Sequence, residues 1–229
     1  CGGGDSSSGL STTPPPVKLY GVQNAIITYE YSGAASGTKT HTIANFGIYQ
    51  TLTDSMSFSF QGQARNVYQV DITSDTVQWS VDLSKMEGVR SSFDTARIRR
   101  LVADFTEEEK QDFQASFILR GGGKKVGTET ILDRECDVYE LGMGGLKVAL
   151  WNGLTMKMDV VMGGENIVMT AVDIDLDFTP TEDMFLPPQD AKIKEPEVIS
   201  SFPEGHPPIE PPQQDPAGEM PEGHPPVTN

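Results

Sequence analysis

Three runs of alternating apolar residues between positions 146 and 178 constrain the fold of this 229-residue chain more than any other feature. The runs carry Leu146, Val148 and Leu150, then Leu154, Met156, Met158 and Val160, and finally Val168, Val172, Ile174, Leu176 and Phe178. A period of two places these side chains on one face of each strand. Asp173, Asp175 and Asp177 then lie on the opposite face, in water, and a slip of one residue would bury them. The pattern therefore predicts an antiparallel β-meander in a fixed register.

The first half of the chain shows the same alternation. We predict strands over residues 22–31 and 39–43, joined by a turn at 32–37, and further strands near 47–53, 57–61, 67–73 and 76–83. The segment 39–43 is polar enough to lie near a sheet edge. Its histidine, His41, is expected to be an exposed strand residue.

Between residues 94 and 120 the apolar period becomes helical. Asp94 is a candidate N-cap for a first helix, which carries Ile98, Leu101 and Phe105 at helical spacing. These residues predict that the helix has an apolar side to bury.

A second helix is predicted by the capping box that Thr106 and Glu109 form. It presents Phe113 and Phe117 one turn apart, and the glycines at 121–123 end it. Two helices in an otherwise β-rich chain need an apolar surface to lie against, and the sheet supplies one. The fold class predicted is α+β, with two short helices packed against the apolar side of an antiparallel β-meander.

The late strands contain methionines at positions that alternate with polar residues. Core filling accounts for Met156 and Met158, and so does a pliable apolar cavity, because methionine adapts to irregular hydrophobic ligands. Both interpretations stay open. The residues expected to line such a cavity are Ile98, Leu101, Phe105, Phe113 and Phe117 from the helices, and Val148, Met156 and Met158 from the strands.

The formal net charge of −16 limits the classes of partner. Phosphate backbones are bound by clustered Lys and Arg, so the charge argues against a nucleic acid. It also argues against a general electrostatic attraction to anionic lipid headgroups. No apolar run approaches the ~18 residues that a membrane-spanning helix needs.

Residues 1–17 are expected to be a flexible tether, because they are rich in Gly, Ser and Pro. The start at Cys1 followed by glycines resembles a mature bacterial lipoprotein, whose Cys carries acyl chains that anchor it in a membrane. Gly2 after that Cys implies, by the sorting rule of enteric lipoproteins, delivery to the outer membrane. The expected location is thus the bacterial cell envelope. The alternative is a disulfide between Cys1 and Cys136.

Residues 187–229 form an acidic tail that holds twelve of the sixteen prolines. The segment PEGHPP occurs twice in it, at 203–208 and 221–226. A tail of this composition is predicted to be disordered or extended and polyproline-like. His206 and His224 are candidates for ligating a metal or a haem, and a solvated linker with a duplicated segment is the other interpretation. No cofactor is expected.

No constellation of catalytic groups is evident. Cys136 shares a strand face with Val138 and is expected to be a buried structural thiol, since no basic group is placed to activate it. The glycine-rich segment around Lys124 lacks the strand–loop–helix order of a phosphate loop. The aspartates at 173–177 lack the Gly and Glu of a calcium loop. We predict a protein that is not an enzyme.

Residues 126–139 and 147–157 resemble an uncharacterised family of bacterial envelope domains. In that family a G-x-E-x-I-x-G-x-x-C-x-V-Y strand pair precedes a W-x-G-x-x-x-K hairpin, and here Asp133 stands where Gly is usual. The family is similar in architecture to the lipoprotein carrier LolA and its receptor LolB. The resemblance covers residues 18–186 and implies an unclosed half-barrel that cradles a short helical lid.

Two functional hypotheses follow. The leading one is a membrane-anchored envelope lipoprotein whose half-barrel binds a lipid acyl chain or an apolar protein segment. The alternative is a surface scaffold or adaptor, whose tail at 187–229 recruits a protein partner, a metal or a haem.

Overall fold

The computed structural model describes residues 10, 18–60, 63–74, 76–93, 100, 102–142, 145–162 and 164–195. Several residues singled out above lie outside these ranges: Cys1, Asp94, Ile98, Leu101, His206 and His224. The lipid anchor, the start of the first helix and the role of the tail repeat therefore stay predictions. The predicted end of that helix is described, and residues 102–105 form a turn there, so Phe105 does not lie in a helix.

Twelve strands in the described part of the chain form one sheet. The first six are β1 (Ala25–Gly33), β2 (Ala35–Ala44), β3 (Tyr49–Phe60), β4 (Gln63–Ser74), β5 (Val77–Asp82) and β6 (Glu87–Ser92). The others are β7 (Lys124–Ile131), β8 (Arg134–Leu141), β9 (Leu146–Trp151), β10 (Leu154–Met162), β11 (Glu165–Asp175) and β12 (Lys192–Lys194).

The sheet is unclosed. Its order is β12-β6-β5-β4-β3-β2-β1-β11-β10-β9-β8-β7, so β12 and β7 are its two edges. Two meanders meet where β1 pairs with β11, and every neighbouring pair is antiparallel except β12 with β6. Between β6 and β7, residues 102–123 are described without a gap and contain two short helices, α1 (Glu107–Gln111) and α2 (Phe113–Arg120). The α+β fold class with an unclosed, mainly antiparallel sheet is confirmed.

Two of the hairpins turn on residues with positive φ. Asn152 (φ 50°) and Gly153 (φ 75°) join β9 to β10, as expected of an Asn-Gly turn. Leu132 (φ 49°) and Asp133 (φ 57°) make the same kind of turn between β7 and β8 without a glycine. Leu132 packs against the nearby core, which helps to hold a backbone conformation that Leu rarely adopts.

Apolar cores cover both faces of the sheet. The first core consists of Ala25, Ile27, Tyr29, Ile43, Ile131, Cys136, Ala149, Leu154, Met156, Met169 and Ala171. The second consists of Ala44, Tyr49, Val70, Ile72, Val81 and Phe185. Ile43 and Ala44 are successive residues of β2, so they point to opposite faces. The second core therefore lies on the face opposite to Ile43.

A C-terminal strap, residues 182–194, covers the second core. It begins with a 3₁₀ turn (Glu182–Phe185) whose Phe185 is fully buried against Tyr49. Ala191 and Ile193 pack against the same core, and β12 adds a parallel strand beside β6. The folded part of the chain thus extends past residue 186, after which the sequence predicts an unstructured tail.

Strand β2 differs from its prediction. The segment 39–43 lies in the middle of the sheet, between β1 and β3, rather than near an edge. His41 is buried, with 8% of its surface exposed, so the expectation of an exposed strand residue is wrong. The polar residues around it receive hydrogen-bonding partners from neighbouring strands, which a single strand's pattern does not reveal.

Strand β11 contains a β-bulge that changes the phase of its alternation. Tyr29 lies opposite Ala171 and Thr28 opposite Asp173, so Val172 is the extra residue. Val172 is 41% exposed, and Met169 and Ala171 are buried instead. Asp173 and Asp175 are exposed, as the sequence predicts.

Candidate apolar binding site

The helical unit opens with the predicted capping box, which is confirmed. Thr106 Oγ1 accepts a hydrogen bond from the Glu109 amide at 3.2 Å, and the Thr106 amide donates to Glu109 Oε2 at 2.7 Å. Asp112 then caps α2, its Oδ1 accepting from the Ala115 amide. The capping residues thus place the break between the two helices at Asp112.

Arg120 ties the two helices and the preceding turn together. Its guanidinium donates to both carboxylate oxygens of Glu109, at 3.0 and 2.9 Å, and to the Asp104 carbonyl at 2.9 Å. The same group lies 4.2 Å from the centre of the Phe105 ring. The hydrogen bonds from Arg120 lower the pKa of Glu109 to about 2. The pair therefore stays ionised across the physiological range.

One side of α2 packs on the sheet. Ala115, the buried residue of this helix, contacts Tyr139, Val148 and Leu150. The cluster is completed by half-buried apolar residues around it: Ile118, Leu141, Leu146 and Met158. Burial raises the pKa of the Tyr139 hydroxyl to about 12, so the group stays neutral.

Strand register places this cluster on the face that carries Ile43. Val148 lies opposite Met158, Met158 opposite Met169, and Met169 opposite Tyr31. Directly opposed residues point to one face of a sheet. The α2 helix and the second core therefore lie on opposite faces.

The other side of α2 carries an aromatic row. The ring centres of Phe105 and Phe113 are 6.1 Å apart, and those of Phe113 and Phe117 are 6.0 Å apart. At about 100° per residue, Phe113 and Phe117 lie on the side of the helix opposite to Ala115. Phe105 is buried, whereas Phe117 is 52% exposed. The helix is thus apolar on two sides, and one of them reaches solvent.

The structure brings some of the predicted lining residues together and separates others. Val148 and Met158 lie in the cluster beneath α2, and Phe105, Phe113 and Phe117 form the row on its far side. Met156 is fully buried in the first core, at a bulge where Lys157 pairs with Ala149 and Thr155 with Leu150. Ile98 and Leu101 lie outside the described residues.

The sheet-facing contacts of α2 were not singled out from the sequence. Ala115 and Ile118 have the helical spacing i, i+3, and Tyr139 shares one face of β8 with Leu141. The helical spacing and the strand period are both visible in the sequence, and together they predict these contacts. Phe113 and Phe117 are larger and more hydrophobic, so the pattern favours their side of the helix for packing on the sheet, but the structure packs the side of Ala115 there.

A buried polar network lies close to the first core, on the face of the sheet that carries Ile43 and α2. The His41 Nε2 and the Tyr20 hydroxyl each donate to Gln50 Oε1 at 3.0 Å, while Gln50 Nε2 donates to the Gly47 carbonyl at 2.8 Å. Burial lowers the pKa of His41 to about 4 and raises that of Tyr20 to about 12. Both side chains are therefore neutral at pH 7.

A groove of about 390 Å³, lined in part by charged residues, crosses β7 to β10. Lys157 Nζ lies 3.0 Å from Glu129 Oε2 at its wall, with Lys147 and Asp159 alongside and Ala149 at its base. Its lining mixes both signs of charge, which does not match the predicted apolar cavity.

The described residues contain neither a metal-binding cluster nor a membrane-spanning helix. Among those residues, no group of three or more His, Cys, Asp or Glu is placed to hold a metal ion. Within the same ranges, no helix combines the length and apolar character required to cross a bilayer. Cys136 is a buried free thiol in the structure, and burial raises its pKa.

No family model and no curated protein matches the sequence. Among solved structures, the chain is similar to an uncharacterized conserved protein from Thermus thermophilus, with 8% identity over 76% of this chain and 90% of that chain (TM-score 0.46). It is similar to MucB, with 13% identity over 76% of this chain and 62% of that chain (TM-score 0.40).

A third similar structure is a putative outer membrane lipoprotein-sorting protein domain from Vibrio parahaemolyticus, with 12% identity over 71% of this chain and 89% of that chain (TM-score 0.26). At these identities and scores the likenesses carry no conclusion about function, and the chain spans 62% of the MucB chain.

Proposed function

We propose that this protein is a non-enzymatic lipoprotein of the bacterial envelope that binds an acyl chain or an apolar protein segment beside α2. One observation carries the proposal: α2 is apolar on two sides, and its outer side presents an aromatic row that ends in the half-exposed Phe117. The exposed half of Phe117 continues an otherwise buried or half-buried apolar row, so an apolar ligand that covers it would remove apolar surface from water.

The packing of α2 suits it to making room for a ligand. The helix has eight residues and buries only Ala115, a small side chain, against Tyr139, Val148 and Leu150. Little apolar area therefore holds it to the sheet. Met158 lies between this cluster and the first core, and its flexible side chain adapts to a chain inserted there.

Phe117 and Leu119 form a matched pair for testing the site. Both are half-exposed residues of α2, at 52% and 48%, but Leu119 lies outside the aromatic row. A ligand that covers Phe117 gains about 1 kcal/mol from its exposed half, so Phe117→Ala should weaken binding of a fluorescent long-chain fatty acid roughly fivefold. Leu119→Ala should change it less than about twofold.

Thermal unfolding of both variants provides the control, since neither side chain contributes much to the folded state while half exposed. Displacement of the probe by unlabelled palmitate shows whether binding is reversible and specific for the chain. Equal affinities in the two variants would place the ligand elsewhere and reject this site.

Anchoring through Cys1 at the outer membrane is the second part of the proposal. It is supported by the Cys-Gly pair at positions 1 and 2 and by the Gly/Ser-rich segment that follows it. Intact-mass measurement of membrane-extracted protein tests it, because acylation adds the mass of the chains and Cys1→Ala removes it. An unmodified Cys1 in protein from its own envelope would contradict the anchor.

The adaptor alternative depends on the repeat at residues 203–208 and 221–226, outside the described ranges. Its test is a deletion that starts at residue 196 rather than 187, because Ala191 and Ile193 pack on the second core. Partner capture that survives this deletion would exclude the tail as the recruiting element.

A further inference from the structure

Leu10 is separated from the first strand by fourteen residues, but its side chain contacts the second core of the sheet. It is half-buried, and it packs against the cluster formed by Ala44, Tyr49, Val70, Ile72, Val81 and Phe185. It is also the single Leu, Ile, Val, Met or Phe among residues 1–16. This leader is built mainly of Gly, Ser, Thr and Pro, so before Val17 it has no other large aliphatic side chain with which to hold a folded domain.

The surface that receives Leu10 is shared with the C-terminal strap. Trp79, Leu83 and Ile193 are half-buried around the same core. A cavity of about 470 Å³ lies on this face, between Val70 and Ile72 on the sheet and residues 186–189 of the strap. The strap therefore leaves part of the apolar face open, and Leu10 is one further apolar group that covers the core.

We propose that the leader docks on the domain through Leu10, at the second core, and is a tether only from residue 1 to residue 9. The occupant of this apolar face is a segment of the chain itself. The docking of Leu10 does not depend on the proposed function. Only its consequence for a membrane anchor at Cys1 rests on that proposal.

Docking shortens the distance between an anchor and the domain. Nine extended residues span roughly 30 Å, whereas seventeen span about 60 Å. The contact also fixes which face of the sheet the leader approaches. Leu10 binds the face that carries Ala44, which is the face opposite to α2 and Phe117.

Energy transfer within the unlipidated full-length chain tests the docking. Trp79 packs on the second core, whereas Trp151 packs on the first, so Trp151→Phe leaves Trp79 as the donor at the docking surface. A thiol-reactive dansyl acceptor labels Cys1 under native conditions, because Cys136 is fully buried. In this background, transfer from Trp79 to the label reports how closely the leader is held.

Leu10→Ser should lower the transfer efficiency roughly twofold, because the free tether then lengthens from nine residues to seventeen. Leu10→Met keeps an apolar side chain and should retain the parental efficiency. Matching melting temperatures confirm that the comparison is made between folded chains. Equal transfer in the parent and Leu10→Ser overturns the proposal, as does an equal loss in Leu10→Met.

This result is independent of the proposed ligand site and anchor. Transfer that depends on Leu10 would stand even if no fatty acid bound beside α2 or Cys1 carried no lipid. Conversely, a lipidated, ligand-binding protein whose transfer ignores Leu10 would retain its proposed function and lose only the docking.

Discussion

His41 occupies a position where charge is costly. Its ring is 8% exposed, packs edge-on against Tyr20 at 5.7 Å, and donates to the side-chain oxygen of Gln50. Desolvation is the largest cause of its lowered pKa, followed in the same direction by the nearby positive charge of Lys39, while the Gln50 hydrogen bond opposes it. The folded protein therefore holds His41 neutral down to about pH 4.

This burial predicts a pH dependence of stability. In the unfolded chain His41 titrates near 6.5, and in the folded protein near 4, so the unfolded state binds more protons between those values. The stabilisation is complete above pH 6.5 and is lost as the pH falls towards 4. It amounts to about 3 kcal/mol, and denaturant unfolding of the parent and His41→Gln at pH 7 and pH 4.5 measures it.

The variant separates His41 from the carboxylates, which also titrate as the pH falls. The parent should lose more free energy of unfolding than His41→Gln between the two pH values. Parallel losses in both proteins would mean that His41 is solvated, contrary to its position in the sheet.

At the scale of elements, the α1–α2 unit has contacts of its own in addition to those between α2 and the sheet. Arg120 alone joins Glu109, the Asp104 carbonyl and the Phe105 ring. Lys110 and Glu107 form a separate ion pair within α1, with Glu107 largely exposed. Only the first set of contacts links the helices to each other and to the aromatic row.

Removing the Arg120 contacts should loosen α2 without unfolding the sheet. Arg120→Gln is expected to raise amide hydrogen exchange severalfold at Ala115 and Ser116, because local opening of the helix then breaks fewer interactions. Lys110→Gln, which removes a charge of the same sign from the neighbouring helix, should leave those amides unchanged. Indistinguishable exchange in the two variants would show that Arg120 does not hold the unit.

The sequence predicts elements well where the determining contacts are local. Thr106 and Glu109 are three residues apart, and their capping box is present in the structure. Prediction from the sequence fails where pairing with strands distant in the chain determines the structure. Val172 continues the apolar alternation of β11, but the pairing with β1 inserts a bulge there and exposes it. Strand β6, with the sequence EGVRSS, carries little apolar signal and is stabilised by β5 and β12.

At the scale of the whole molecule, the two faces of the sheet carry different features. The face with Ala44 is covered by the strap and Leu10, whereas the other bears α2, the aromatic row and the buried His41 network. The sequence did not predict the strap, because Ala191 and Ile193 lie in a proline-rich, acidic context that indicates disorder. Their apolar partners are in β3 to β5, more than a hundred residues earlier.

The candidate site was predictable in part for the same reason. Phe113 and Phe117 follow a local helical period and do lie side by side, whereas Phe105 joins their row from the turn before α1. Met156 follows an equally clear alternation, yet it is a fully buried core residue because the bulge in β10 places it among the first-core side chains. Alternation identifies apolar faces but does not distinguish a filled core from a binding surface.

The most direct test of apolar ligand binding is organic extraction of the full-length protein purified without detergent, followed by mass spectrometry of the extract. Protein from a bacterial envelope should release an acyl-chain lipid or an apolar peptide in near-stoichiometric amount, and Phe117→Ala should release several times less than Leu119→Ala. Recovery of no apolar ligand from the parent protein, together with no binding of added fatty acid, would contradict the account.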